Sequence, residues 1–418
     1  MQKQLLIIGW VWPEPKSSAA GSRMLQLIEC FQRAHYSVTF ASPAQLTEHM
    51  EDLNALDIAT KAITLNCASF DEFIGQLDPD VVMFDRYMME EQFGWRVSKA
   101  CPNAVRVLDT EDLQSLRNAR HQAIKQHQSA SEASLNTELA VREVSAIFRS
   151  DLSIMISPEE INLLEQHYRV DPSLLVYSPF MFEPAVLDQE TPCFDERQHF
   201  ISIGNFRHAP NWDAVLLLKQ KLWPLIRKKL PQAQLHIYGA YPPKKATDLH
   251  DEKSGFLVKG WVDDALLAMK NAKVCIAPLR FGAGIKGKLA EAMYCGTPSV
   301  TTEIGAEGMH TEHPWAGAVN DDINAMADQA IQLYQDQHVW NNASALGKVN
   351  AHLLFDLEQH SDVLIKAFEH VTDNLAQHRA NNFTGAMLNH HSHRSTQFMS
   401  QWIEAKNKLE NEHNGERE

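Results

Sequence analysis

Short apolar runs of strand length alternate with stretches of helical period along most of this chain, and they do so in two series. The first series has strand-like runs at 4–8, 38–42, 81–85, 105–109, 152–156 and 174–177. Between the first two, Met24, Leu27, Ile28 and Phe31 recur at i, i+3, i+4 and i+7, the buried face of a helix. The second series runs through 199–203, 234–238, 256–259, 274–279 and 299–302, with helices starting near Asn211, Asp263, Lys286 and Asp322. Alternation of this kind builds parallel sheets with helices on both faces. The fold expected is α/β, two Rossmann-like doubly wound domains facing a cleft.

The stretch SPFMFEPAVLDQETPCFDERQHF, residues 178–200, interrupts the rhythm with three prolines and no clean period. It reads as an interdomain linker. The expected division is an acceptor-binding domain over 1–180, a linker over 181–198, a nucleotide-binding domain over 199–356, and helices with a tail over 357–418. The tail holds Phe383, Met387, Leu388, Phe398, Met399, Trp402 and Ile403, too many large apolar groups for a solvated strand of chain. A helix docked on the body through them is expected, with the last dozen residues frayed. His390, His391 and His393 read as a polar helix face, since no cysteine or carboxylate stands at ligand spacing.

Composition narrows the function. Hydrophobic residues are 44% and charged residues 22%, as in a globular protein. A formal net charge of −15 argues against a general nucleic-acid binder. Six scattered cysteines without a CxxC pair suit a reducing cytoplasm. The apolar start of the chain ends at Trp12-Pro13-Glu14-Pro15, too short to span a bilayer. The protein is expected to be cytoplasmic, and any membrane contact to be peripheral, at the inner face.

Residues 281–296, FGAGIKGKLAEAMYCG, carry the chemistry. They follow an apolar strand and open a helix whose buried face is Ile285, Leu289, Ala292 and Met293, with Gly296 as its stop. Lys286 and Lys288 stand in the first turn, where the helix dipole disfavours cations. Small residues at Gly282, Ala283 and Gly284 leave backbone N–H groups approachable, so an anion fits there. Glu291 follows Lys288 by one turn and can accept from a pair of ribose hydroxyls. Phosphate and ribose together make a nucleotide.

PLRFGAGIKGKLAEAMYCGTPSVTTEIGAEGM resembles the donor-binding segment of retaining GT-B glycosyltransferases of the family 4 type. SIGNFRHAPNWDAV is similar to that family's first strand and loop of the C-terminal domain. The resemblance covers about residues 199–310 well and the N-terminal half mainly in architecture. It implies a nucleoside-diphosphate-sugar donor, a glycan, lipid-linked or other hydroxyl acceptor, no metal, and no other cofactor. It implies Arg207 and Lys288 as the cations that balance the leaving diphosphate, with Lys286 beside them. Donor contacts are implied for Asn205, Gly284 and Ile285, and ribose binding for Glu291. The first glutamate of the family's E-x7-E motif would fall at Ala283 and is missing. The family's N-terminal strand-end histidine is missing too, which leaves Asp109, Glu111 and Asp112 in RVLDTEDLQ as its replacements or as a turn and helix cap.

Three further readings stay open at this level. Ala20, Gly21, Ser22 and Arg23 form either a phosphate-approach loop or a plain N-cap with a surface charge. Trp261 either flanks a base or packs. GAGIKG also satisfies G-x-G-x-x-G with Glu303 beyond the next strand, so a nucleotide-dependent oxidoreductase is the rival, and a non-catalytic GT-B binding module the third possibility.

Overall fold

The computed structural model describes residues 2–183 and 191–415, so part of the expected linker lies outside the described residues. The first sheet has seven parallel strands: β1 (Lys3–Ile8), β2 (Tyr36–Ser42), β3 (Ala59–Ala62), β4 (Val81–Asp85), β5 (Val105–Asp109), β6 (Leu152–Met155) and β7 (Leu175–Tyr177). Their order is β3-β2-β1-β4-β5-β6-β7. The second sheet has six: β8 (Gln198–Ile203), β9 (Leu235–Tyr238), β10 (Phe256–Gly260), β11 (Ala272–Ala277), β12 (Ser299–Thr301) and β13 (Gly317–Val319), ordered β10-β9-β8-β11-β12-β13. In each, strand order reverses beside the first strand. Ligands of doubly wound sheets bind at the carboxyl ends there.

The strands are apolar because both faces are covered by helices. Leu5, Ile7, Val81, Met83, Val107 and Ile154 bury one side of the first sheet, and Met24, Leu27, Ile28 and Phe31 of the helix Ala19–Arg33 cover it as the period predicts. The sequence reading lacks two strands. β3, Ala-Thr-Lys-Ala, is an edge strand exposed along its length, and β13 is three residues long, so neither carries an apolar signal.

Near residue 356 the chain returns to the first sheet. Phe182 N–H donates to Phe355 O at 2.7 Å and Leu357 N–H donates to Phe182 O at 3.1 Å, so the outgoing and returning segments lie side by side. The helix Leu357–Asp373 then buries Leu364, Phe368 and Val371 in the first sheet's core, with Phe368 edge-on to Phe31 at 4.8 Å between centroids.

The last helix corrects the expectation for the tail. It runs Phe383–Gly415, well past the point where fraying is expected, and it docks on Tyr87–Ala100 and Glu138–Arg149. It does so through Gly385 and Ser400. Phe383, Met387, Phe398 and Trp402 instead face outward, 70%, 47%, 65% and 62% exposed. A hydroxyl–guanidinium bond, Arg96 Nη2 to Ser400 Oγ at 3.2 Å, holds the inner face where apolar packing is expected. Among the described residues no helix is long and apolar enough to cross a membrane.

Candidate active site

The carboxyl ends of β1, β4, β8 and β11 open onto one cleft of about 730 Å³ between the two sheets. The helix Gly287–Tyr294 aims its N-terminus into it, and the N-terminus of Ala19–Arg33 meets it from the other side. Contact between these two ends is close. A Cβ on Gly287 would overlap Ala19 Cβ and come within 3.1 Å of Phe180 Cζ, so only glycine allows the approach. Gly287→Ala is expected to push the two halves apart at a cost of about 1–3 kcal/mol. Scattering should show a larger radius of gyration and turnover should fall, while a local structural role would leave the radius unchanged.

Lys286 caps the helix rather than standing within its first turn, and its ammonium is committed. Nζ donates to Gly284 O at 2.7 Å and lies 3.8 Å from Glu307. Lys288 sits in the first turn, its Nζ donating to Asn211 Oδ1 at 2.7 Å. Burial is the main reason that each lysine is pulled down to about 8. Glu291, one turn on, is pushed up to about 7 by burial, with Lys288 opposing. Its carboxylate accepts no hydrogen bond from the described residues and lines the cleft. The N–H groups of Ile285, Lys286 and Gly287 meet no protein acceptor among the described residues, whereas that of Gly284 donates to Glu160 Oε1 at 2.8 Å. Gly284 adopts φ +60°, which a β-carbon disfavours, and Asp112 and Ile156 crowd it.

From the second sheet come Asn205 and Arg207. Asn205 is a latch: its Oδ1 accepts Arg207 N–H at 2.9 Å and its Nδ2 donates to Ser17 O at 3.4 Å. The Arg207 guanidinium lies 3.6 Å over the Tyr241 ring, exposed to the cleft. Beside it stands His208, which the sequence reading passed over. Burial, with Arg117 adding, drives His208 down to about 4, so it is neutral. Its only sequence signal is its place after Arg207 at the end of a strand and before a helix.

From the first sheet come the acids. Glu111 lines the cleft at φ +61°, a conformation a non-glycine residue holds only when its surroundings compel it. Burial, then the neighbouring Asp109 charge, raises its carboxyl well above the usual range. Asp112 is engaged: Arg117 Nε and Nη2 donate to it at 2.8 and 3.1 Å. Burial would raise Asp112, but the charge and hydrogen bonds of Arg117 hold it below the ordinary value. Nor does it cap the next helix. Glu143 does, accepting from Gln114 and Ser115 N–H at 2.9 Å each, while Glu160 Oε1 accepts from Leu113 N–H at 2.8 Å. Both lie far away in sequence, so nothing local announces them.

Two corrections concern residues 18–23. Ser18, not Ser22, caps the helix, accepting from Gly21 N–H at 3.1 Å; Ser22 Oγ turns back to Pro15 O at 2.9 Å. Arg23 is no surface charge. It is fully buried and donates to both Asp109 oxygens at 2.7 and 3.0 Å and to Ser178 O at 3.0 Å. Ala20 lines the cleft, and the N–H groups of Ala19 and Ala20 remain the approachable ones. Gly21 is needed because a side chain there would strike the Glu14 backbone. Trp261 stacks on His49 at 4.8 Å, so that face is covered, and only its remaining surface lines the cleft.

The two halves are tied across the cleft. Arg120 grips Glu307 at 2.6 and 2.7 Å and donates to Gly282 O at 2.9 Å; Tyr241 Oη donates to Glu14 at 2.9 Å; His121 stacks on Phe281 at 4.4 Å. Ala283 is buried in the apolar cluster of the first domain, a methyl where the resembled family has a carboxylate.

Solved structures share this two-domain fold over nearly their whole length. Sucrose-phosphate synthase from Thermosynechococcus elongatus superposes with a TM-score of 0.65 at 15% identity, covering 88% of this chain and 99% of that one. Anabaena HepE in complex with UDP-glucose superposes with a TM-score of 0.66 at 13% identity, again over 88% and 99%. The fold is GT-B. Within this GT-B chain, residues 197–336, about a third of the length, match the family described as Glycosyl transferases group 1. An uncharacterized protein of the cps region of Klebsiella pneumoniae is 30% identical over 118 residues. That stretch is 27% of this chain and spans only 30% of the relative.

Proposed function

We propose that this GT-B protein is a retaining glycosyltransferase that moves a sugar from a nucleoside diphosphate to an acceptor hydroxyl in glycan synthesis. The observation that carries the reading is the helix N-terminus Gly287–Tyr294, with open N–H groups, Lys288 and an unengaged Glu291 facing one cleft. A diphosphate placed there meets the helix dipole, Lys288 and Arg207, and its ribose meets Glu291. As the glycosidic bond breaks, charge builds on the diphosphate, where these groups stabilise it most. The acceptor oxygen bonds to the anomeric carbon on the face the phosphate leaves, and its proton passes to a departing phosphate oxygen. Glu111, whose carboxyl burial raises, is read as the group that meets a sugar hydroxyl. Arg23 is buried behind the wall, whereas Asn205 and Asp112 line the cleft with side chains already bonded to their neighbours.

The reaction is read as metal-independent. Asp85, Asp109 and Glu111 come within 4.8 Å of one another, but Arg23 on Asp109 and Arg86, 3.6 Å from Asp85, already balance them. The oxidoreductase reading loses its supports. GAGIKG follows β11 rather than the first strand of its sheet, Gly287 answers to Ala19, and Glu303 is exposed outside the cleft.

Proton linkage tests the site. With Lys288 at about 8 when empty, most of it is neutral at pH 9, and an arriving diphosphate restores its charge. Nucleoside diphosphate binding above pH 8 is therefore expected to take up protons, approaching one, and to weaken as pH rises. Calorimetry in buffers of different ionisation enthalpy reads this directly. Binding without proton uptake would remove Lys288 from the anion site.

A further inference from the structure

The outer face of the last helix, Phe383–Gly415, carries an apolar stripe. Phe383, Met387, Phe398, Trp402 and Leu409 are 47% to 70% exposed, while the inner face is fixed to the body by Ser400 and Glu404 against Arg96. Exposed apolar groups aligned in this way mark an interaction surface. We propose that this stripe is a homodimer interface, in which the helix pairs antiparallel with the same helix of a second copy.

Its spacing carries the argument. Met387, Arg394, Phe398, Trp402 and Leu409 are separated by seven, four, four and seven residues, a pattern symmetric about Phe398. Eleven residues make three turns of a nearly straight helix, so 387, 398 and 409 share one side. A two-fold interface must be self-complementary. With the axis at Phe398, Met387 meets Leu409, Phe398 meets Phe398, and the Arg394 guanidinium meets the Trp402 indole. A parallel pairing in register would set Arg394 against Arg394 and Lys408 against Lys408. The other charges bring no repulsion, because Lys408 pairs with Glu404 at 3.0 Å and Lys406 with Glu410 at 3.6 Å along the helix.

The area is of the right order. Phe383, Phe398 and Trp402, at these exposures, offer on the order of 400 Å² per copy. With the methionines and Leu409 added, pairing approaches the roughly 800 Å² per partner of a stable dimer. A lipid surface fits less well. The helix carries three basic residues (Arg394, Lys406, Lys408) against three acidic ones (Glu404, Glu410, Glu412), and the chain carries −15, whereas membrane-surface helices are rich in lysine and arginine.

Sedimentation equilibrium of the full chain should show a dimer at micromolar concentration. Phe398→Asp places two carboxylates on the axis and should weaken dimerisation roughly tenfold or more, with melting of the fold unchanged. In a background with Cys67 and Cys193 replaced by serine, a mixture of Met387→Cys and Leu409→Cys chains should oxidise to the 387–409 crosslink in preference to either self-crosslink. A monomer at tens of micromolar, or a dimer indifferent to Phe398→Asp, overturns the proposal. So does a predominant 387–387 crosslink. A monomer that co-sediments with phosphatidylglycerol vesicles through this helix would assign the stripe to lipid instead.

Discussion

Lys288→Ala is expected to lower turnover by about 10²–10³-fold while leaving the empty protein as stable as the parent or slightly more so. The lysine is a buried cation in the first turn of the helix Gly287–Tyr294, held down to about 8 mainly by burial. Its removal relieves an unfavourable charge–dipole contact of about 0.3–1 kcal/mol, set against one hydrogen bond to Asn211. On the proposed function, the same substitution deletes in the bound state a donor to the leaving diphosphate, whose charge is greatest in the transition state. Melting with and without nucleotide, together with turnover, separates the two states. A lysine merely solvated at a helix start would change neither the nucleotide-induced shift nor the rate.

Arg23→Ala should be the most damaging change to the fold, costing about 3–5 kcal/mol. It leaves Asp109 buried without its cation partner and removes the nearest cation, at 3.9 Å, from Glu111. The loss depends on pH, with a definite sign. Glu111 and Asp85 are already raised by burial in the parent. Without Arg23, the folded state binds more protons than the unfolded state above the ordinary carboxylate range, so its stability falls as pH rises through that range. Denaturant titrations at pH 5 and pH 8 should show the larger deficit at pH 8. Combining Arg23→Met with Asp109→Leu should recover part of the loss, because no buried charge is then stranded.

Much of the architecture was legible because a doubly wound sheet writes itself locally. β4 and β5 coincide with the apolar runs at 81–85 and 105–109, and the helix stripe Met24–Phe31 is buried as its period requires. The turn proposed to bind the diphosphate was legible for the same reason: a strand end, small residues and two lysines are neighbours in sequence. What stayed hidden depends on distance. Glu143 and Glu160 fix the loop after β5 from helices farther along the chain, and no spacing predicts which backbone N–H a remote carboxylate will find. For Arg23 the choice between a loop residue and a surface charge stayed open, and neither is its place, because its partner, Asp109, lies 86 residues away. The last helix misled in the opposite sense. Its apolar residues are expected against the body, yet Phe383, Met387, Phe398 and Trp402 face outward, because composition alone does not say which side of a helix the body covers.

The central claim, donor cleavage with transfer at the Gly287–Tyr294 helix, is tested most directly by incubating the protein with a panel of UDP-, GDP-, dTDP- and ADP-linked sugars. Release of nucleoside diphosphate and the anomeric configuration of the product should be followed together by NMR. The prediction is that at least one donor is cleaved, that the product keeps the donor's configuration, and that added chelator leaves the rate unchanged. Failure of every donor to bind or turn over, while nicotinamide or flavin nucleotides bind in the same cleft, would contradict it.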